Sequence, residues 1–133
     1  MAEKIQFELV SPAKLLVSSP VDMVVVPGTE GDFGALPRHA PLIATVRPGV
    51  IDVHDSGKVS SRIFVAGGFA EVNEERVTVL AEEAIPVDEI TAELVAARTK
   101  AAREAQAEAK TELEKAAAEN QAAVAAALAA AAR

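Results

Sequence analysis

The sequence predicts an all-β N-terminal sandwich of about 8–10 short antiparallel strands, followed by a C-terminal α-helical hairpin. Three observations carry this: a period of two in the apolar residues from Ile5 to Ile85, turn chemistry between the runs, and a switch near residue 87 to a segment without glycine or proline.

Ile5, Phe7 and Leu9 alternate with Gln6 and Glu8, which reads as a first strand with one buried face. Short β-branched runs follow in VDMVVVPG, IATVRPGVIDVHDSGKV, RIFVAGG and FAEVNEERVTVLA, each bounded by turn residues. HDSGK at 54–58 lies between Val53 and Val59 with Gly57 placed for a positive φ, and VNEERV at 72–77 joins two alternating runs. Both predict hairpins. No helical pattern interrupts them, so a sandwich or small barrel is expected over residues 1–87.

Pro86-Val87-Asp88-Glu89 supplies a break, an N-cap candidate and first-turn acids, opening a helical segment over 88–133. Lys100 and Glu104, and Lys110 and Glu114, are spaced for ion pairs along a helix. From Ala116 to Ala132 twelve of seventeen residues are alanine, the best helix former but one with little to bury. A turn is expected within 107–112, with one continuous helix as the alternative. Docking would rest on Ile90, Leu94, Leu113, Val124 and Leu128. Each contributes about 1.5–3 kcal/mol only when fully buried, so the tail is expected to be a detachable appendage.

Composition narrows the function. A chain of 133 residues is one ordinary domain, or a domain with an appendage. Its net charge is −7, and both parts are acidic: seven Lys/Arg against twelve Asp/Glu in 1–87, six against eight in 88–133. Nucleic acid is therefore not an expected partner. The absence of cysteine excludes disulfides, thiolate metal sites and cysteine nucleophiles. MAEKIQFELVSP lacks an apolar signal core, and the alanine tail is too weakly hydrophobic for a span, so direct membrane insertion is not expected.

Residues 28–42, GTEGDFGALPRHAPL, concentrate three glycines, two prolines, two acids and a histidine, a composition suited to a phosphate cradle, a catalytic loop or a contact surface. The Gly-Lys-Ser/Thr ending of a phosphate loop is missing, and Glu30 and Asp32 would repel a phosphate. His39 and His54 have no metal-ligand spacing, and the pairs Glu74-Glu75 and Glu82-Glu83 read as solvated charges. Nothing matches a G-x-S-x-G nucleophile elbow, and four Phe leave little with which to line a substrate pocket. No catalytic residue and no metal site is expected.

The run VPGTEGDFGALPRHAPLIATVRPG resembles the epsilon subunit of F-type ATP synthases, whose loop reads much like P/T-G-x-E-G-x-x-G-x-x-P-x-H-A-P-L-L. FVAGGFAEVNEERVTVLAEEA at 64–84 is similar to the G-G-x-x-E-V and V-x-V-L-A segments of the same family. The resemblance covers nearly the whole chain. It implies a noncatalytic central-stalk subunit of a proton-translocating F-type ATP synthase, bound to the gamma subunit and to the polar loops of the c-ring. By position in the motif it places Glu30, Asp32 and His39 in the loop turned toward the c-ring. Arg38 stands where the family commonly has glycine and adds a cation there.

In some bacterial relatives the hairpin extends along the catalytic alpha/beta head to restrain ATP hydrolysis, and a bound nucleotide holds it closed. The motif similar to I/L-D-x-x-R-A falls on Leu94-Val95-Ala96-Ala97-Arg98-Thr99, which makes Leu94 and Arg98 the remnant of a nucleotide site. Val95 replaces the acid, and the tail carries no Lys or Arg between Lys115 and Arg133. No cofactor, ATP included, and weak or no inhibition are therefore expected. An ATP-sensing inhibitor of the same machine is the alternative. A third reading, an unrelated sandwich adaptor with a coiled-coil tail, meets no apolar heptad sustained over three repeats. The absence of a transit peptide favours the cytoplasmic side of a bacterial plasma membrane, where the subunit would be peripheral.

Overall fold

The computed structural model describes residues 3–12 and 15–132. Among these residues ten strands form: β1 (Ile5–Val10), β2 (Leu15–Val21), β3 (Met23–Gly28), β4 (Gly31–Ala35), β5 (Leu42–Thr45), β6 (Gly49–Asp55), β7 (Lys58–Ala66), β8 (Phe69–Val72), β9 (Arg76–Leu80) and β10 (Glu83–Pro86). They make two five-stranded sheets, ordered β2-β1-β9-β8-β5 and β10-β7-β6-β3-β4. Alternation decides which side chains meet between them. Ile5, Phe7 and Leu9 of β1 are buried, as are Val24 and Val26 of β3, Ile51 and Val53 of β6, and Val77 and Val79 of β9. These join one apolar cluster between the sheets.

One pairing departs from the antiparallel expectation. β1 lies parallel to β9, with Gln6 opposite Arg76 and Val10 opposite Leu80. The remaining strand pairs between named elements are antiparallel. The β8–β9 hairpin brings the chain back beside β1, which is paired with β2 on its other side, and the register puts Phe7, Leu9, Val77 and Val79 on the core face together.

The predicted hairpins form. Ser56 and Gly57 both take positive φ, 56° and 80°, as a two-residue turn matched to strand twist requires. At the other hairpin, Asn73 Oδ1 accepts from the backbone N–H groups of Glu75 and Arg76, 2.8 Å each. Glu74 and Glu75 thus lie in the turn and not on a strand.

A charged clip joins the two sheets at one end. Lys4, just before β1, pairs with Asp22 at the β2–β3 corner, 2.7 Å, and with Asp55 at the end of β6. Asp22 also accepts from the Ser56 N–H, 2.8 Å. Hydrogen bonding to Lys4, then to Ser56, holds the Asp22 carboxyl below the ordinary carboxylate range. The same contacts, Asp22 first and then Asp55, raise Lys4.

The chain divides into two units between Pro86 and Val87. In the second, Val87–Glu89 is a 3-10 turn, followed by α1 (Ala92–Glu108) and α2 (Glu112–Ala131). The helix break at Ala109-Lys110-Thr111 falls inside the predicted interval. The N-cap is Thr91, whose hydroxyl accepts from Leu94 N at 3.1 Å, so Asp88 and Glu89 lie in the 3-10 turn and not in the first turn of α1. Thr111 caps α2 in a reciprocal box with Glu114, whose carboxylate accepts from the N–H groups of Thr111 and Lys110, 3.0 Å each. Those two donors, Thr111 first, pull the Glu114 carboxyl below its ordinary value. Glu114 therefore caps a helix in place of the ion pair expected with Lys110, while Lys100 and Glu104 do approach, at 4.0 Å.

α1 and α2 pack against each other, and the buried residues of this unit are Ala102, Ala118, Ala125 and Ala131 with Val124 and Leu128. Leu113, expected to help dock the tail, is 80% exposed because it sits on the outer face of the first turn of α2.

Candidate functional site

The motif at 28–42 builds a clamped turn. At Gly28 a Cβ would lie 2.8 Å from the Gly31 carbonyl and 3.2 Å from the Phe33 ring, so β3 and β4 close tightly only with glycine there. Thr29 and Glu30 form the tip, and Gly31 follows with φ 128°. The neighbouring chain grips this turn at several points. Thr29 N donates to Thr45 O at 3.0 Å, and the two threonine hydroxyls lie 2.6 Å apart. Arg47 donates from its backbone to Pro27 O, from Nη1 to Gly28 O at 2.6 Å and from Nη2 to Asp32 Oδ1 at 2.5 Å. Asp32 is thereby engaged within the chain, whereas exposed Glu30 carries no ion pair among the described residues.

The structure does not bring His39 to this turn. Residues 31–35 form the edge strand β4, paired with β3 so that Gly31 faces Gly28 and Ala35 faces Val24. Five residues of strand span roughly 16 Å, which sets His39 at the opposite end of the sandwich from Glu30. There the loop is held separately: Arg38 N donates to Glu74 O at 2.8 Å, His39 N to Leu36 O at 3.1 Å, and His39 Nδ1 to Ala40 O at 2.6 Å. Arg38 takes φ 70°, a left-handed backbone that glycine adopts more readily, and its guanidinium pairs with Glu3 at 2.5 Å. The expectation of one loop presenting Glu30, Asp32 and His39 together is corrected. Glycines at 31 and 34 mask the alternation Asp32-Phe33-Gly34-Ala35 that makes this stretch a strand.

Beside the clamped turn lies a feature the sequence reading missed. Val46 N donates to Gly68 O at 3.1 Å, linking the turn to an open groove of about 510 Å³ lined by Val10, Pro12, Phe69, Leu80, Ala81 and Glu82 among others. The cross-strand register places Leu15, Val10, Leu80 and Phe69 in one row on the outer face of their sheet. Phe69 is 42% exposed and Leu80 38%. Gly68 makes the corner possible, since a Cβ there would lie 1.7 Å from the Leu80 carbonyl oxygen. This end therefore offers an acid on a rigid tip and, next to it, an apolar groove with a second acid, Glu82, at its rim. Such an arrangement suits protein contact.

Leu94 and Arg98 sit one turn apart on α1, both half-buried, with Val95 between them donating its N–H to Thr91 O. Position 95 supplies no carboxylate.

Residues 4–87 match the family described as ATP synthase, Delta/Epsilon chain, beta-sandwich domain. The ATP synthase epsilon chain of Paramagnetospirillum magneticum is 75% identical over 131 residues, covering 98% of both chains. That of Rhodospirillum rubrum is 60% identical over the same share. Among solved structures, a chain of the Euglena gracilis mitochondrial ATP synthase, determined as OSCP/F1/c-ring, superposes with a TM-score of 0.82 at 27% identity, covering 100% of this chain and 83% of that one.

Proposed function

Because the chain belongs to the family of ATP synthase epsilon chains, we propose that it works as a noncatalytic rotor subunit that joins the gamma subunit to the c-ring and couples proton flow to ATP synthesis. The observation that carries this reading is the clamped turn: Thr29 is fixed by Thr45, and Gly28 and Asp32 by Arg47, on either side of Glu30, so an end that must pass torque to a neighbour has little freedom to yield. Glu30 and the Phe69–Leu80 groove face the c-ring in this reading. Asp32 acts through Arg47 by stiffening the turn, and His39, at the other end, is left out of the ring contact.

No helix among the described residues is long and apolar enough to cross a membrane. The proposed location is peripheral, on the cytoplasmic side of a bacterial plasma membrane. The hairpin exerts weak or no control over the alpha/beta head, and no nucleotide is held at Leu94 and Arg98, since Val95 stands where an acid would be needed and α2 has no cation beyond Lys115. The test is ATP-driven proton pumping by membranes stripped of this subunit. Adding the full chain restores pumping, and Glu30→Lys combined with Phe69→Asp binds gamma yet restores it poorly. Full restoration by that double variant overturns the contact assignment. A regulatory reading replaces this one if the full chain, but not a chain ending at Val87, inhibits ATP hydrolysis by the purified catalytic head.

A further inference from the structure

The end of the sandwich away from the clamped turn gathers four connections: the β2–β3 corner at Asp22, the β4–β5 loop at 36–41, the β6–β7 turn at 56–57 and the β8–β9 turn at 73–75. The segment at the start of β1 reaches all four. Glu3 pairs with Arg38 at 2.5 Å, Lys4 pairs with Asp22 at 2.7 Å and with Asp55, and Gln6 N donates to Glu75 O at 2.9 Å. Two backbone bonds tie these corners further: Arg38 N donates to Glu74 O at 2.8 Å, and Asp22 N to His54 O at 3.0 Å. Asp22 divides its carboxylate, one oxygen on Lys4 and the other on the Ser56 N–H.

Adjacent residues of opposite charge thus reach different corners: Glu3 holds the loop that carries the chain from β4 to β5, and Lys4 holds the β2–β3 corner and the β6–β7 turn. Arg38 is what makes the first arm possible. Its φ of 70° is one that glycine adopts at less cost, and a glycine there would suit the loop's backbone but remove the arm. The side chains of Arg38, Glu3 and Lys4 are 77%, 52% and 39% exposed, so dissolved salt screens both arms. We propose that Glu3 and Lys4 form a two-armed ionic strap, sensitive to ionic strength, that couples the 36–41 loop to the β6–β7 turn, so that releasing one arm loosens both. Each exposed pair alone holds weakly; the coupling comes from the short stretch of backbone that joins the arms and is anchored from Gln6 to Glu75. What the strap governs is the arrangement of exposed Leu36 and of His39 on the loop. It is independent of the ring contact, which is proposed for the other end.

Two amides report on the arms, that of Arg38, bonded to Glu74, and that of Ser56, bonded to Asp22; their hydrogen exchange is measured in the full-length chain. Glu3→Gln is expected to speed exchange at Ser56 as well as at Arg38, and Lys4→Met at Arg38 as well as at Ser56, each by about two- to fivefold. Raising sodium chloride from about 0.05 M to about 0.5 M should speed both amides of the unsubstituted chain together and neither in the Glu3→Gln, Lys4→Met double variant. Arg38→Gly should loosen Ser56 like Glu3→Gln, and the charge exchange of Glu3→Arg with Arg38→Glu should restore its protection. The buried amide of Val65 in β7 is the standard for an intact fold and is expected to stay unchanged. Three results overturn the proposal: each substitution moving only the amide on its own arm, salt leaving both amides of the unsubstituted chain as they were, or Val65 accelerating as much as Ser56, which would assign the effect to the whole sandwich.

Discussion

The sandwich and the hairpin reach order by opposite means. In the sandwich, large side chains from facing strands fill one cluster, and Phe7, Leu9, Ile51 and Val79 are completely removed from solvent. In the hairpin the buried residues are mostly alanines, and definition comes from helix propensity and from two threonine caps. Burial gives a cooperative unit in which each residue depends on many others. Propensity gives helices whose stability is largely local.

Four measurements break or sharpen that contrast. Phe7→Ala removes one of the two largest fully buried side chains and is expected to destabilise the sandwich by about 3–5 kcal/mol in urea unfolding. A loss under 1 kcal/mol would show that the cluster is not its foundation. Within the hairpin, Leu128→Ala, at 0% exposure, should cost about 2 kcal/mol, while Leu113→Ala stays within about 0.5 kcal/mol. Equal effects would mean that the alanine packing does not discriminate between the two leucines. Thr111→Ala removes a capping box and is expected to speed amide exchange in the first turn of α2 by an amount corresponding to about 1 kcal/mol, leaving the strands unchanged.

The smallest effect is that of pH on the clip. The folded-state pKa of Asp22 is depressed, so its contribution is present above the unfolded value of about 3.9 and is lost as pH falls through the lower folded value. Lys4 is raised, so its contribution is present below about 10.4 and is lost as pH rises through the higher folded value. Asp22→Asn should flatten the acid limb of the sandwich's stability profile. An unchanged limb would assign acid sensitivity elsewhere, with Glu114 on α2 the next group to substitute.

Much of this contrast is legible in the residues themselves. Ile5, Phe7 and Leu9 announce a half-buried strand, Ser56-Gly57 a tight hairpin, and the glycine-free run after Pro86 a helical region. What stays hidden depends on pairing at a distance. Nothing local distinguishes a parallel from an antiparallel partner for β1, because the buried face is the same in both. The Phe69–Leu80 groove is assembled from residues 10–12, 68–69 and 80–82, which meet only once the strand order is set. Glu30 was accessible through its motif, yet its separation from His39 was not, since glycines in β4 disguise a strand as a loop. The acids at 88 and 89 mask Thr91 as a cap, although Thr91 stands directly before the first turn of α1.

The parallel pairing of β1 also sets a timetable for synthesis. β1 lies inside its sheet between β2 and β9, and β9 leaves the ribosome long after β1 does. Until then β1 is hydrogen-bonded along one edge only, by β2, so the nascent sandwich carries an open seam that closes when the ninth strand arrives. While it stays open, the free edge of β1 is available to the wrong neighbours.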